Sequence, residues 1–131
     1  MLAEFPALPV LAVSDLDRAR RFYQDDLGFS TISEGPEGVV YRTEGGGFLV
    51  YPSDFAGTNK ATAMSFMVGE TRFADVVADL RGRGIDFLTF EAPQGSWTDG
   101  VLADGRMRSA WFTDPDGNIL NIETMTVLAP A

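Results

Sequence analysis

The chain has 131 residues, 45% hydrophobic and 22% charged, a size and composition that suit one globular domain able to bury a core without cross-links. It contains no cysteine and no histidine, which excludes disulfides, zinc–thiolate and iron–sulfur centres, a cysteine nucleophile, and Ser-His-Asp or Cys-His catalysis. The formal net charge is −9, with Lys60 the one lysine and nine arginines spread among acids, so there is no basic stripe for a nucleic-acid backbone. No apolar run reaches the roughly 20 residues that cross a bilayer. The amino-terminal stretch MLAEFPALPVLAVSD lacks the basic start of a signal peptide. A cytoplasmic protein with no membrane and no nucleic-acid partner is expected.

In chain order, a short apolar run from Pro9 ends at Val13. Ser14, with Asp17 three residues on, resembles a capping box. Leu16, Ala19, Phe22, Tyr23 and Leu27 then form one apolar helix face, which Gly28 ends. Three strands are predicted next, Phe29–Glu34, Val39–Thr43 and Phe48–Tyr51, broken by Gly35-Pro36 and Gly45-Gly46-Gly47. The triple glycine precedes a strand rather than a helix, so it reads as a hairpin turn and not as a phosphate cradle.

The segment 52–61 reads as a crossing to a second copy of the same plan. There an apolar run ends at Val68, and Glu70 or Thr71 is expected to cap a helix striped by Phe73, Val76, Val77 and Leu80. Gly84 stops that helix, and strands are predicted over Ile85–Phe90, Arg106–Thr113 and Ile119–Thr124. Asp114-Pro115-Asp116-Gly117-Asn118 joins the last two as a tight turn. It lacks the further acids of a calcium loop. Residues 91–105 read as a long connection, of the kind that tends to carry function. The near-equal separations of Val13 from Val68 and of Gly28 from Gly84 mark a duplicated unit. The expectation is one α+β domain over residues 1–131. It has two βαβββ modules, about 7–55 and 61–126, whose strands are mixed or antiparallel with helices covering one sheet face.

Val13-Ser14-Asp15-Leu16, Phe22-Tyr23, Leu27-Gly28-Phe29 and Asp114-Pro115-Asp116-Gly117-Asn118 together resemble the vicinal oxygen chelate superfamily, which contains glyoxalase I, bleomycin-resistance proteins, extradiol dioxygenases and fosfomycin-resistance enzymes. The resemblance runs over roughly residues 7 to 125. It implies a cupped sheet whose enzymes usually hold a divalent metal through histidine, glutamate, histidine and glutamate. The corresponding positions here are Leu8, Val50 (within one residue), Ala63 and Asn121. Three are apolar and offer no lone pair, and Asn121 alone is a poor ligand. Glu123, two residues on, leaves a weak carboxylate site conceivable, but no metal and no cofactor are expected.

On this reading the concave face is an apolar pocket lined by Leu8, Tyr41, Phe48, Val50, Ala63, Ser65, Met67, Trp97, Trp111 and Asn121, with core or interface packing as the alternative for each. Arg42, Arg106 and Arg108 are candidate contacts for an acidic ligand, set against solvated or ion-paired roles. Glu44, Glu91, Asp99 and Asp104 read as solvated loop acids, and no catalytic residue is assigned. Three functions stay open. One is a metal-independent protein sequestering an aromatic or cationic small molecule, as bleomycin-resistance relatives do. The other is a lyase, isomerase or dioxygenase with a degenerate or absent metal site. A filled pocket with a structural role is a third. The resemblance also implies a homodimer.

Overall fold

The structure is a computed structural model that describes residues 1–105 and 107–124. It is α+β, with one four-stranded and one five-stranded sheet and, among the described residues, two α-helices. The chain divides into two compact units. The first takes residues 1–63 together with Asp114–Asn118; the second takes Met64–Thr113 and the chain from Ile119 onward.

The first unit follows the predicted plan. A 3-10 turn at Leu2–Glu4 precedes β1 (Val10–Val13), α1 (Leu16–Arg20), β2 (Thr31–Gly35), β3 (Gly38–Thr43) and β4 (Gly46–Pro52). The strand order is β1-β4-β3-β2, with β1 parallel to β4 and the other pairs antiparallel. Asp15 caps α1 by accepting from the Arg18 backbone N–H at 3.1 Å. The expected cap, Ser14, is turned elsewhere. The helix continues through Arg21–Asp26 as a wider π turn, in which the Leu27 N–H reaches back five residues to the Phe22 carbonyl at 2.9 Å. The widening brings the consecutive pair Phe22 and Tyr23 both into the core. Alternation along the strands sends Leu11, Val13, Val39, Tyr41, Phe48 and Val50 to that same core. Rings of Tyr23, Phe29, Tyr41 and Phe48 meet there at centroid distances of 5.1 to 6.4 Å.

The five-stranded sheet is built from β5 (Thr62–Met67, in the second unit from Met64), β6 (Ser96–Thr98), β7 (Val101–Asp104), β8 (Met107–Thr113) and β9 (Ile119–Glu123), in order β5-β9-β8-β7-β6, with α2 (Phe73–Gly82) following β5. Phe73, Val77 and Leu80 of α2 are buried with Ile85, Ala110, Phe112, Leu120 and Ile122. Three expectations are corrected by this unit. Arg72, with no side-chain cap bond, precedes α2 in place of Glu70 or Thr71. The segment from Ile85 to Phe90 is not a strand and makes a single bridge, Leu88 to Trp111. The supposed long loop holds the hairpin β6–β7. Its turn is Asp99-Gly100, with φ of 50° and 78°, the positive pair a two-residue hairpin requires. Among the described residues this unit therefore carries four strands after its helix rather than three.

Candidate functional site

In the first unit the two faces of the sheet differ in kind. The face bearing Tyr41, Phe48 and Val50 is closed: each of the three is 0% exposed. These residues, expected to line a pocket, are instead core, because the register of β4 points Phe48 and Val50 toward the aromatic cluster. Their strand neighbours Leu49 and Tyr51 take the opposite face, opposite Val40 on β3 and Val10 and Ala12 on β1. That face is apolar and open, with Val10 and Ile32 about half exposed. Leu8 lies just before β1 and is likewise exposed. Arg42 is exposed on β3.

The strand-joining turn 114–118 is the polar centre of the same unit. Asp114, 3% exposed, accepts four hydrogen bonds. Tyr23 Oη and Asn118 Nδ2 donate to Oδ2 at 2.8 Å each, and the Asp116 and Asn118 backbone N–H groups donate to Oδ1 at 2.9 Å each. Asn118 Nδ2 also donates to the Ala12 carbonyl at 2.8 Å. Asp116 Oδ1 accepts from the Ser14 N–H at 3.0 Å, Ser14 Oγ at 2.6 Å and Arg18 Nη2 at 3.1 Å. A buried carboxylate is tolerable when donors surround it in this way. Burial, the Asp114 charge and the hydrogen bond to Asp114 push the Tyr23 phenol far above its ordinary value. Burial raises Tyr41 too, partly offset by the hydrogen bond that Gln24 Nε2 donates to its oxygen. Both phenols are buried and hydrogen-bonded within the core. The network is a clasp that ties β1 and α1 to the turn.

The second unit assembles an aromatic site. Strand pairing aligns Trp97 with Leu102, Leu102 with Ser109, Ser109 with Glu123, and Trp111 with Asn121, so all lie on one sheet face. Arg108, on the other face, stacks over Phe73 of α2. Phe90 stands edge-on to both indoles, 5.1 Å from Trp97 and 4.8 Å from Trp111, and the indoles are 6.0 Å apart. Leu88 holds this chain segment to the sheet by donating its N–H to the Trp111 carbonyl at 2.7 Å. Phe90 is 46% exposed and the indoles are half-buried. The structure thus brings together Trp97, Trp111 and Asn121 of the predicted set and adds Phe90, which the sequence pattern places in a strand. Asn121 is 2% exposed, and its Nδ2 donates to the Ala110 and Ile122 carbonyls at 3.2 and 3.4 Å. Ala63, Ser65 and Met67 lie on β5, with Ser65 exposed and the other two half-buried. Arg106 lies outside the described residues.

Two modules, each a strand and a helix followed by a run of antiparallel strands, with an Asp-Pro-Asp-Gly turn before the last strand, define a duplicated α+β class. The chain belongs to the glyoxalase/bleomycin resistance protein/dioxygenase superfamily, whose description it matches over residues 7–122. It is 27% identical over 119 residues to virulence protein STM3117 of Salmonella typhimurium strain LT2, spanning 86% of this chain and 78% of that one. In fold it is similar to the fosfomycin resistance protein FosX of Listeria monocytogenes, with TM-score 0.69 at 15% identity over 94% of each chain. It is similar also to a glyoxalase family protein of Enterococcus faecalis, with TM-score 0.68 at 18% identity over 94% of this chain and 99% of that one.

The donor set does not fit the metal that many members of this superfamily hold. Leu8 and Ala63 offer only hydrocarbon, and Val50 is sealed in the core. The open-face neighbours of Val50 are Leu49 and Tyr51. The Asn121 amide is already tied to strand carbonyls. Among the described residues no three carboxylates, histidines or cysteines converge. Divalent ions need several oxygen, nitrogen or sulfur ligands in one place. Among the described residues, no helix is long and apolar enough to cross a membrane.

Proposed function

We propose that this chain is a metal-independent small-molecule binding protein that sequesters an aromatic or cationic compound. The observation that carries the reading is the cluster of Trp97 and Trp111 on one sheet face with Phe90 edge-on to both indoles. Half-buried indoles offer a ring face to a flat ligand, and their quadrupoles attract positive charge. The net charge of −9 adds only a weak, salt-screened preference for a cation. The replacement of ligand positions by Leu8 and Ala63 supports binding without metal chemistry. The exposed Leu8, Val10 and Ile32 support a homodimer as the binding form.

Trp97 and Trp111 are the chain's two tryptophans, so selectively excited tryptophan fluorescence reports this site alone. Titration with planar aromatic cations is expected to quench it saturably, and Phe90→Ala is expected to weaken that binding. A panel that leaves the emission and the melting temperature unmoved would sink the reading in favour of a structural role. The enzyme reading draws support from Glu123, half-buried on the same strand face as the Asn121 amide. It predicts that manganese, nickel or zinc raises the melting temperature of wild type and not of Glu123→Gln. On the binding reading the three ions leave both unchanged.

A further inference from the structure

We propose a second ligand site, on the α2 side of the second unit, that takes an anionic amphiphile: a carboxylate carried on an unbranched apolar chain. The site is a cavity of about 410 Å³ between α2 and the β6–β7 hairpin. Its walls include Ala74, Val77 and Ala78 of the helix and Val101 and Ala103 of β7. Alanines on both walls leave a hollow that larger side chains would fill. A cavity of about 440 Å³ elsewhere, by Ser14 and Asp54, is polar-walled and does not suit an apolar chain. The volume beside α2 falls within the range of small-molecule sites. Ala74 to Arg81 runs roughly 10 Å along the helix axis, the span of a medium-length acyl chain.

Two arginines, Arg81 and Arg108, also line this hollow. Arg108 lies 4.9 Å from the Phe73 ring centroid and donates from Nη2 to the Glu70 carbonyl at 3.4 Å. Arg81 lies 5.4 Å from the Phe87 ring and donates from Nη2 to the Asp99 carbonyl. Each guanidinium is thus held by a ring and one backbone oxygen, neither of which cancels its charge. Among the described residues neither pairs with a carboxylate, whereas Arg18, Arg20 and Arg83 all do. Guanidinium donors arranged as a planar fork and pre-positioned by stacking suit a carboxylate. The overall charge of −9 acts weakly against an anion, because physiological salt screens charges beyond about 8 Å while the two guanidiniums line the cavity. The hairpin separates this site from the aromatic one: Thr98 and Ala103 face it, and Trp97 and Leu102 take the opposite face.

Decanoate is the probe, measured by calorimetry below its micelle concentration and by methyl NMR of the alanines. Decanol and decyltrimethylammonium are the neutral and cationic comparators. Expected are one saturable decanoate site and methyl shifts at Ala74, Ala78 and Ala103. Arg108 stands by Phe73 and Glu70 at the start of α2 and Arg81 lies in its last turn, so the carboxylate is assigned to the Arg108 end. Affinity should fall about tenfold in Arg108→Gln, equivalent to about 1.4 kcal/mol, less in Arg81→Gln, and not at all in Arg21→Gln. Ala78→Trp, an exposed helix position that keeps both arginines, is expected to block the site without unfolding the chain. The proposal is overturned if decanoate does not bind wild type, if decanol or the ammonium binds equally well, or if Ala78→Trp or the double glutamine variant retains wild-type affinity while folded.

Discussion

Tyr23 donates its phenol proton to Asp114 at 2.8 Å across 91 positions of sequence, and its burial, the Asp114 charge and this bond together make the fold sensitive to alkali. An unfolded tyrosine ionises near pH 10, and Tyr23 in the folded chain is held well above that. Above pH 10 the folded state therefore keeps a proton that the unfolded state releases, so stability present at lower pH is lost as pH rises. The loss approaches about 1.4 kcal/mol per pH unit for each such tyrosine, and Tyr41 adds to it in the same direction. Tyr23→Phe is expected to cost about 1–2 kcal/mol at pH 7, through the lost donor to Asp114. It should also unfold with a shallower alkaline slope than wild type. Urea unfolding at pH 8, 10 and 11 measures both, and equal slopes would refute the assignment.

Asp114→Asn tests the other partner. Whichever oxygen the amide nitrogen replaces, it faces two of the four donors and exchanges hydrogen bonds for repulsion. Loss on the order of 3 kcal/mol or more is expected, since hydrogen bonds to a buried charge contribute about 1.5–3 kcal/mol each. Combined with Tyr23→Phe the losses should fall short of additive by at least about 0.5 kcal/mol, because the two residues share one bond. Additive melting-point losses in the double-mutant cycle would show that the clasp is not one unit.

The clasp also shows which parts of this fold are legible in the sequence. Both helices, their glycine stops, the strands of the first unit and the 114–118 turn follow from local periodicity and turn chemistry, and the structure has them. Ser14 reads as a cap yet binds Asp116, far away in the chain, while Asp15 beside it is an equally good cap. Phe48-Leu49-Val50-Tyr51 is apolar on both faces, so alternation alone does not tell which pair points inward, and a one-residue shift exchanges the faces. That ambiguity is why Tyr41, Phe48 and Val50 read as pocket residues and stand in the core. The β6–β7 hairpin does carry a signal, Asp99-Gly100 between Trp97-Thr98 and Val101-Leu102. Phe90 carries none, since its place beside two tryptophans depends on the single Leu88 bridge.

The three consecutive glycines at the start of β4 are expected to respond differently to alanine, although they read alike as a turn. Gly45 has φ of 78°, so Gly45→Ala should cost about 1–2 kcal/mol, with Gly45→Asn milder. At Gly46 an added Cβ meets nothing within 4 Å, so Gly46→Ala should be neutral or slightly stabilising. At Gly47 the Cβ would sit 2.4 Å from the Tyr41 carbonyl oxygen, which is backbone of the paired strand and cannot swing aside. Gly47→Ala should therefore cost about 1–3 kcal/mol. Chemical denaturation of the three variants gives the ranking, and a Gly47→Ala protein as stable as Gly46→Ala would contradict the β3–β4 register.

Phe90 and Phe87 are three residues apart and belong to different environments, which one pair of variants separates. Phe87 packs edge-on against the core ring of Phe112 at 6.1 Å, whereas Phe90 covers the two indoles from the exposed side. Phe90→Ala is expected to leave stability within about 1 kcal/mol of wild type, because its ring is already half in water. Yet it should red-shift the tryptophan emission and raise acrylamide quenching of both indoles. Phe87→Ala is expected to do the reverse: a loss of about 2–4 kcal/mol from a partly buried ring, with emission unchanged while the chain stays folded. A Phe90→Ala protein whose emission and quenching match wild type would mean that the indoles are shielded by something other than this ring, and the aromatic face would lose its claim to be a preformed ligand surface.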